Sequence, residues 1–169
     1  MDALTCLMTR RSIRKYAPGD VADDLVKKLL AAAMAAPSAG NAQPWHFVVI
    51  RDRATLDEIA NFHPYAKMLR EAPLAVLVCA DPAKEKYKGF WVQDCSAATM
   101  NLLLAAHALG LGAVWVGVYP EADRMENFRK LLGLPDAVMP LSLVPVGHPA
   151  ATAGEADRFA ADRIHADRW

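Results

Sequence analysis

Cysteine is scarce in this chain of 169 residues: Cys6, Cys79 and Cys95 are odd in number, far apart and without a C-x-x-C pair. That argues against a disulfide framework and predicts small apolar core residues in a reducing compartment. Net charge is absent too, since 19 Lys and Arg balance 19 Asp and Glu. A nucleic-acid binder normally carries a basic excess, so none is expected as a partner. Glycine and proline, at 9 and 11, are too few for collagen-like or low-complexity sequence. No uncharged apolar run reaches the roughly 20 residues of a membrane span. An acid, Asp2, stands where a secretory signal would carry a basic segment, and a cytoplasmic location without membrane association is expected.

Familiar catalytic devices are missing as well. Gly110-Leu111-Gly112-Ala113-Val114-Trp115-Val116-Gly117 resembles a dinucleotide fingerprint superficially, but Trp115 fills the third glycine position. Its glycines also follow a helix and open a strand, the reverse of the required order. There is no phosphate-cradling G-x-x-x-x-G-K-[ST] loop and no G-x-S-x-G elbow. His46, His63, His107, His148 and His165 show no metal-ligand spacing, so structural roles are expected of them and no metal is assigned. With no protein-borne catalytic residue in view, an enzyme built on this chain needs a cofactor to carry its chemistry.

What is present is a chain that is 54% hydrophobic and of one-domain length, read as a single unit over 1–169. Such apolar richness at zero net charge also points to surface hidden against another chain. The patterning predicts helices over Val21–Ala36 (capped by Asp20, with Leu25, Leu29, Ala32 and Ala33 on one face), Ala54–Asn61, Phe90–Leu109 and Ala122–Leu132. Buried strands are predicted over Trp45–Ile50, Pro73–Cys79, Gly112–Tyr119 and Met139–Gly147. The helix from Phe90 is rich in small residues and is expected to be covered on several sides. The arm from 151 to 169 ends in Trp169 and is expected to dock on the core or on a partner. Helices and strands mix without a strict βαβ rhythm, which gives an α+β class with a central, mostly antiparallel sheet.

Two segments carry chemistry. Arg10-Arg11-Ser12-Ile13-Arg14-Lys15 places four basic residues and a hydroxyl within six positions. Guanidinium groups offer paired donors that match phosphate oxygens, so a small anion site competes with a merely solvated basic patch. Pro37-Ser38-Ala39-Gly40-Asn41-Ala42-Gln43-Pro44-Trp45 is stiffened by two prolines, and its small residues let backbone amides approach a ligand. Its amides suit the edge of a heteroaromatic ring, although composition alone describes a loop entering a strand.

Taken in order, these segments resemble the nitroreductase family of FMN-dependent flavoproteins. The likeness also includes Gln93-Asp94-Cys95-Ser96-Ala97-Ala98, the Gly110–Gly117 stretch, Pro145-Val146-Gly147-His148-Pro149, and the closing Arg163-Ile164-His165 with Trp169. The resemblance implies an α/β sandwich whose sheet is flanked by helices, working as an intertwined homodimer with FMN at the subunit interface. It implies that Arg10, Arg11, Ser12 and Arg14 hold the phosphate and ribityl chain from one subunit. Pro37, Ser38, Ala39 and Asn41 would contact the flavin from the other. Trp115, Val116 and Gly117 would lie by the ring, with Lys67 at its polar edge. Near the C-terminus, where the family often has two basic residues by the phosphate, Arg158 stands alone and Ala156 occupies the other place.

The activity so implied is a ping-pong transfer of hydride from NADH or NADPH, through FMN, to a small flat electron-poor acceptor such as a nitroaromatic or quinone. Alternatives are a dehalogenase or a dehydrogenase/oxidase of the same superfamily, or a non-catalytic FMN sensor or carrier. The segment Lys84–Trp91 is a candidate lid or wall of the substrate slot, with packing at the dimer seam as the other reading.

Overall fold

Among the residues described by the computed structural model, 1–151, 154 and 157–169, five helices alternate with six strands. The helices are α1 (Ala3–Thr9), α2 (Asp23–Met34), α3 (Arg53–Phe62), α4 (Trp91–Ala108) and α5 (Ala122–Leu132). The strands are β1 (Tyr16–Ala17), β2 (Trp45–Ile50), β3 (Leu74–Ala80), β4 (Gly112–Ala113), β5 (Val116–Gly117) and β6 (Met139–Pro149). All pairings are antiparallel, in the order β1-β6-β3-β2, with β4 and β5 also on β6.

Alternation along β3 sets the layers. Leu74, Val76, Val78 and Ala80 face a core built with Val26, Leu29 and Ala33 of α2 and Cys95, Ala98, Leu102 and Ala106 of α4. Ala75, Leu77 and Cys79 face the opposite core, with Leu56 and Ile59 of α3 and Phe128 of α5. A strand covered on both faces has no position for a polar side chain, which is why 74–80 is an uninterrupted apolar run. The result is a sheet between two helical layers, as the α+β reading requires. All three cysteines are buried and free.

The small residues of α4 let it lie close to α2 and the sheet, and its one buried hydroxyl is satisfied. Thr99 donates to the Cys95 carbonyl at 2.7 Å, leaving Ser142 to donate to Thr99 Oγ1 at 2.9 Å. No helix among the described residues is long and apolar enough to cross a membrane.

Several elements differ from their sequence-based form. β2 has the expected bounds but is an edge strand, so His46 and Val49 face solvent. α2 starts after Val21, which is drawn into the core, and its N-cap is Ala22, with no side-chain cap. Arg51 anchors this helix start in place of Asp20, donating to the Val21 carbonyl and to Asp23, each at 2.8 Å. The strand expected over Gly112–Tyr119 forms ladder pairs with β6 at two short pieces, which keep one register across Val114–Trp115, and the Val118 and Tyr119 amides add bonds to the Leu141 carbonyl. α1, not expected, is capped by Asp2, which accepts from the Thr5 amide at 3.1 Å. The C-terminal arm does not dock on this chain's own core along its described end: Phe159, Ile164 and Trp169 are exposed, with Trp169 stacked on His165 at 4.4 Å.

Close approach explains Gly112. A Cβ there would lie 2.7 Å from the Ile13 side chain, which packs the basic segment against β4. The Ile13 amide donates to the Ala113 carbonyl at 3.0 Å in the same contact. Gly112→Ala is expected to cost about 1–3 kcal/mol by overpacking, measured by urea denaturation. An unchanged midpoint would contradict this contact.

Candidate functional site

The edge of β6 away from β3 carries β4 and β5, and the turn following α3 lies opposite them. Between these lies a cavity of about 420 Å³ lined by Arg14, Pro64, Tyr65, Lys67, Met68 and the stretch Trp115–Gly117. Five residues singled out in the sequence, Arg14, Lys67, Trp115, Val116 and Gly117, therefore meet in one place. Two cations stand among aromatic and apolar walls, and no carboxylate lines the cavity. Such a space suits a flat, partly polar ring with electron-rich edge atoms.

The rest of the basic segment forms a second group. Arg10 caps the C-terminal end of α1, its amide bonding to the Cys6 carbonyl at 3.1 Å. Arg11 bends back over the same helix end, giving Nη1 to the Met8 carbonyl at 2.8 Å and to its neighbour's carbonyl at 2.7 Å. Its Nε bonds to the Gly154 carbonyl at 2.9 Å, tying the start of the C-terminal arm to this corner. Burial, then the nearby charges of Arg11 and Arg158, lower the pKa of Arg10. Arg158 therefore belongs to this cluster, while Ala156 lies outside the described residues.

Arg10 Nε and Arg11 Nη2 are buried without a hydrogen-bond partner among the described residues. Unpaired buried donors on clustered cations are costly for a protein by itself and fit an anion with several acceptor oxygens. Ser12 is exposed beside them.

Pro37, Ser38 and Ala39 line a second cavity, of about 310 Å³, with Phe90, Gln93, Asp94 and Ala97. The loop is held from within: Ala39 N–H donates to Asp94 Oδ1 at 2.8 Å, and Gln43 N–H to Ser38 Oγ at 3.0 Å. Asn41, exposed at its tip, has φ 56° and Gln43 has φ 49°, a left-handed conformation that costs energy outside glycine. Within one chain, then, the loop residues do not share a cavity with Arg14 and Lys67.

The candidate lid is strapped to this loop. Lys86 donates to the Gly40 carbonyl, Lys84 to His46 Nε2 at 3.0 Å, and Glu85 accepts from the amides of Gly89 and Trp91 at the start of α4. Phe90 lines the second cavity, and none of 84–91 lines the first.

Nothing in the sequence singles out Tyr65, Met68 or Arg124 for the site, and His63 is marked there only for a structural role. Arg124 donates to the Gly117 carbonyl at 3.1 Å and lies 5.4 Å from the centre of the Tyr65 ring. His63 was expected to be structural and is wholly buried, but it touches both walls of the first cavity. No local signal marks His63 or Arg124 as part of the site, because Gly117 lies 54 positions from His63 and the Tyr65 ring beside Arg124 belongs to a distant turn.

The family model described as the nitroreductase family matches residues 7–63 and 61–148 of the chain. A protein of Methanothermobacter thermautotrophicus, provisionally named NADH dehydrogenase/NAD(P)H nitroreductase, is 53% identical over 169 residues, covering 100% of this chain and 88% of the relative. The crystal structure of a Parabacteroides distasonis protein with the same provisional name superposes with a TM-score of 0.95 at 44% identity, covering 98% of each chain. A provisionally named nitroreductase of Desulfovibrio desulfuricans, solved in complex with FMN, gives a TM-score of 0.86 at 33% identity over 100% of this chain and 99% of that one.

Proposed function

The chain belongs to the nitroreductase family, and from that premise we propose that it is an FMN-dependent, NAD(P)H-oxidising oxidoreductase, a single-domain subunit of a cytoplasmic homodimer. The observation that carries this reading is the meeting of Arg14 and Lys67 with Trp115–Gly117 in one cavity, together with the buried donors on Arg10 and Arg11 that have no partner among the described residues. When bound, FMN supplies the redox chemistry, taking hydride from NADH or NADPH and passing it to a flat electron-poor acceptor such as a nitroaromatic or quinone in a ping-pong cycle.

The chain's own residues bind and tune. Arg10, Arg11 and Arg158, with the Ser12 hydroxyl, receive the phosphate, which gives the orphaned donors their acceptors. Arg14 and Lys67 set positive charge at the ring's polar edge, where it favours the more negative state of the ring. Val116 and Gly117 present backbone to the same edge, and Trp115 walls off water. Pro37, Ser38, Ala39 and Asn41 serve the site of the second subunit. The surface that a second copy covers includes the outward Leu4, Leu7 and Met8 of α1 and the arm with Phe159 and Trp169, all exposed on this chain. No side chain is asked to act as a nucleophile.

The test is direct. Purified protein is expected to be yellow and to bleach rapidly when NADH or NADPH is added without oxygen. A protein that takes up no FMN overturns the reading. Colour that neither nucleotide bleaches points instead to an oxidase or a sensor. A panel of acceptors, offered to the reduced protein, then identifies what reoxidises it.

A further inference from the structure

The two walls of the first cavity come from distant parts of the chain, and one buried side chain spans them. His63 follows the last residue of α3, its amide bonding to the Ile59 carbonyl at 2.9 Å, and its side chain is 0% exposed. Nε2 lies 3.0 Å from the Gly117 carbonyl oxygen, and Nδ1 lies 3.3 Å from the Tyr65 amide nitrogen. A carbonyl only accepts and an amide N–H only donates, so these contacts define one state of the ring: neutral, with its proton on Nε2. Tyr65 stands in one wall with Pro64, Lys67 and Met68, and Gly117 in the other with Trp115 and Val116.

The surroundings leave the ring little freedom. From α5, Phe128 packs edge-on at 6.3 Å, and Arg124 donates to the same Gly117 carbonyl that His63 holds. From the turn, the Tyr65 ring lies edge-on at 6.4 Å. Arg124 is the charged neighbour. No carboxylate hydrogen-bonds to the imidazole among the described residues.

We propose that His63 is a positioning residue: its neutral imidazole clasps the 64–68 turn to β5, and protonation releases the clasp and loosens the cavity's hold on FMN. That the cavity holds FMN rests on the function proposed above; the clasp itself does not. A proton added at Nδ1 would point at the Tyr65 N–H, setting donor against donor beside a guanidinium. Burial, reinforced by Arg124, lowers the pKa of His63 below the ordinary histidine value of 6.5, more than the Gly117 bond raises it. The unfolded chain therefore takes up this proton first, and stability falls as pH drops through about 6.5 toward the lower folded-state value.

The experiment compares the full-length wild type with His63→Gln, which can still donate toward Gly117, and His63→Leu, which keeps bulk without a donor. FMN dissociation constants are measured by flavin fluorescence from pH 8 to pH 5. Titration of the FMN phosphate weakens binding in all three alike, so the comparison of slopes isolates His63. The wild type is expected to lose at least about threefold more affinity than His63→Gln between pH 7.5 and 5.5, with the two within about twofold at pH 7.5. His63→Leu is expected to bind about tenfold more weakly throughout. Parallel curves for wild type and His63→Gln, or wild-type affinity in His63→Leu, overturn the proposal.

Nitrogen NMR of the wild-type imidazole, which needs neither flavin nor a variant, reads the clasp separately. An Nε2–H tautomer is expected, with the amide signals of Tyr65 and of Val118, whose N–H shares a peptide unit with the Gly117 carbonyl, shifting together as His63 titrates. An Nδ1–H tautomer, or titration without those shifts, also overturns it. Failure of the wild type to bind FMN at pH 7.5 counts against the proposed function and leaves the NMR result to decide the clasp.

Discussion

Arg10→Ala is expected to weaken FMN binding by about ten- to a hundredfold, the loss that follows from removing one charge-assisted hydrogen-bonding group, worth about 1.5–3 kcal/mol. The same substitution is expected to leave the flavin-free fold as stable as before, or more so. Its guanidinium is partly buried, is repelled by Arg11 and Arg158, and carries a buried Nε without an acceptor among the described residues. Removing it relieves those costs whenever no anion is present. Affinity and stability therefore move in opposite directions, as they do where a site is kept ready for a ligand at the fold's expense. Calorimetric titration with FMN and thermal unfolding of the flavin-free protein give the two numbers. Arg14→Ala is the companion, acting at the other end of the site. Unchanged FMN affinity in Arg10→Ala would sink the phosphate assignment, unchanged affinity in Arg14→Ala would sink the ring-edge role, and a large loss of apo stability in Arg10→Ala would contradict the account of an unsatisfied cation.

Phe128→Ala is expected to be the most damaging single truncation, at about 3–5 kcal/mol. Phe128 is fully buried, with its ring edge-on to Phe62 at 5.3 Å and to His63 at 6.3 Å. Deleting it opens a void directly behind the imidazole, so the turn carrying Tyr65 and Lys67 loses its support along with the core. Urea denaturation of the flavin-free protein at one fixed concentration measures the effect, since association would otherwise add to it. Phe128→Leu keeps most of the volume and is expected to lose much less. A loss under about 1 kcal/mol in Phe128→Ala would mean that this core closes around the gap.

Where local pattern and tertiary environment agree, the elements were legible: β2 and α5 have the bounds expected from the sequence. α1 was not, because only Cys6 of its seven residues is buried, and a helix without an inward stripe has no period to detect. Asp2, three residues before the Thr5 amide that it caps, was the available signal. The exposure of β2 was hidden for a different reason. Trp45–Ile50 is aromatic and β-branched whether or not a further strand lies beside it, and its place at the sheet edge depends on the order of the other strands.

In the site, Arg14 and the Pro37–Asn41 loop were marked by composition, and Lys67 by family resemblance alone. His63 and Arg124 had neither mark. A lone histidine and a helix arginine are ordinary in sequence, and their convergence on the Gly117 carbonyl exists only after β5 and α5 have packed.

The pairing of β6 has a consequence for how the site breathes. This eleven-residue strand is bonded along one edge to β3, and it also pairs with β1, β4 and β5. Val116 and Gly117 sit directly on it, opposite Leu143 and Ser142. The facing wall is the short turn around Lys67–Arg70, outside the sheet. Hydrogen exchange should therefore divide the cavity in two. Amides in the middle of β6 would exchange only through global unfolding, while those of 64–70 would exchange through a local opening of lower free energy. One wall is an anvil and the other a hinged jaw, so differences in ligand shape would be absorbed on the side of Tyr65, Lys67 and Met68.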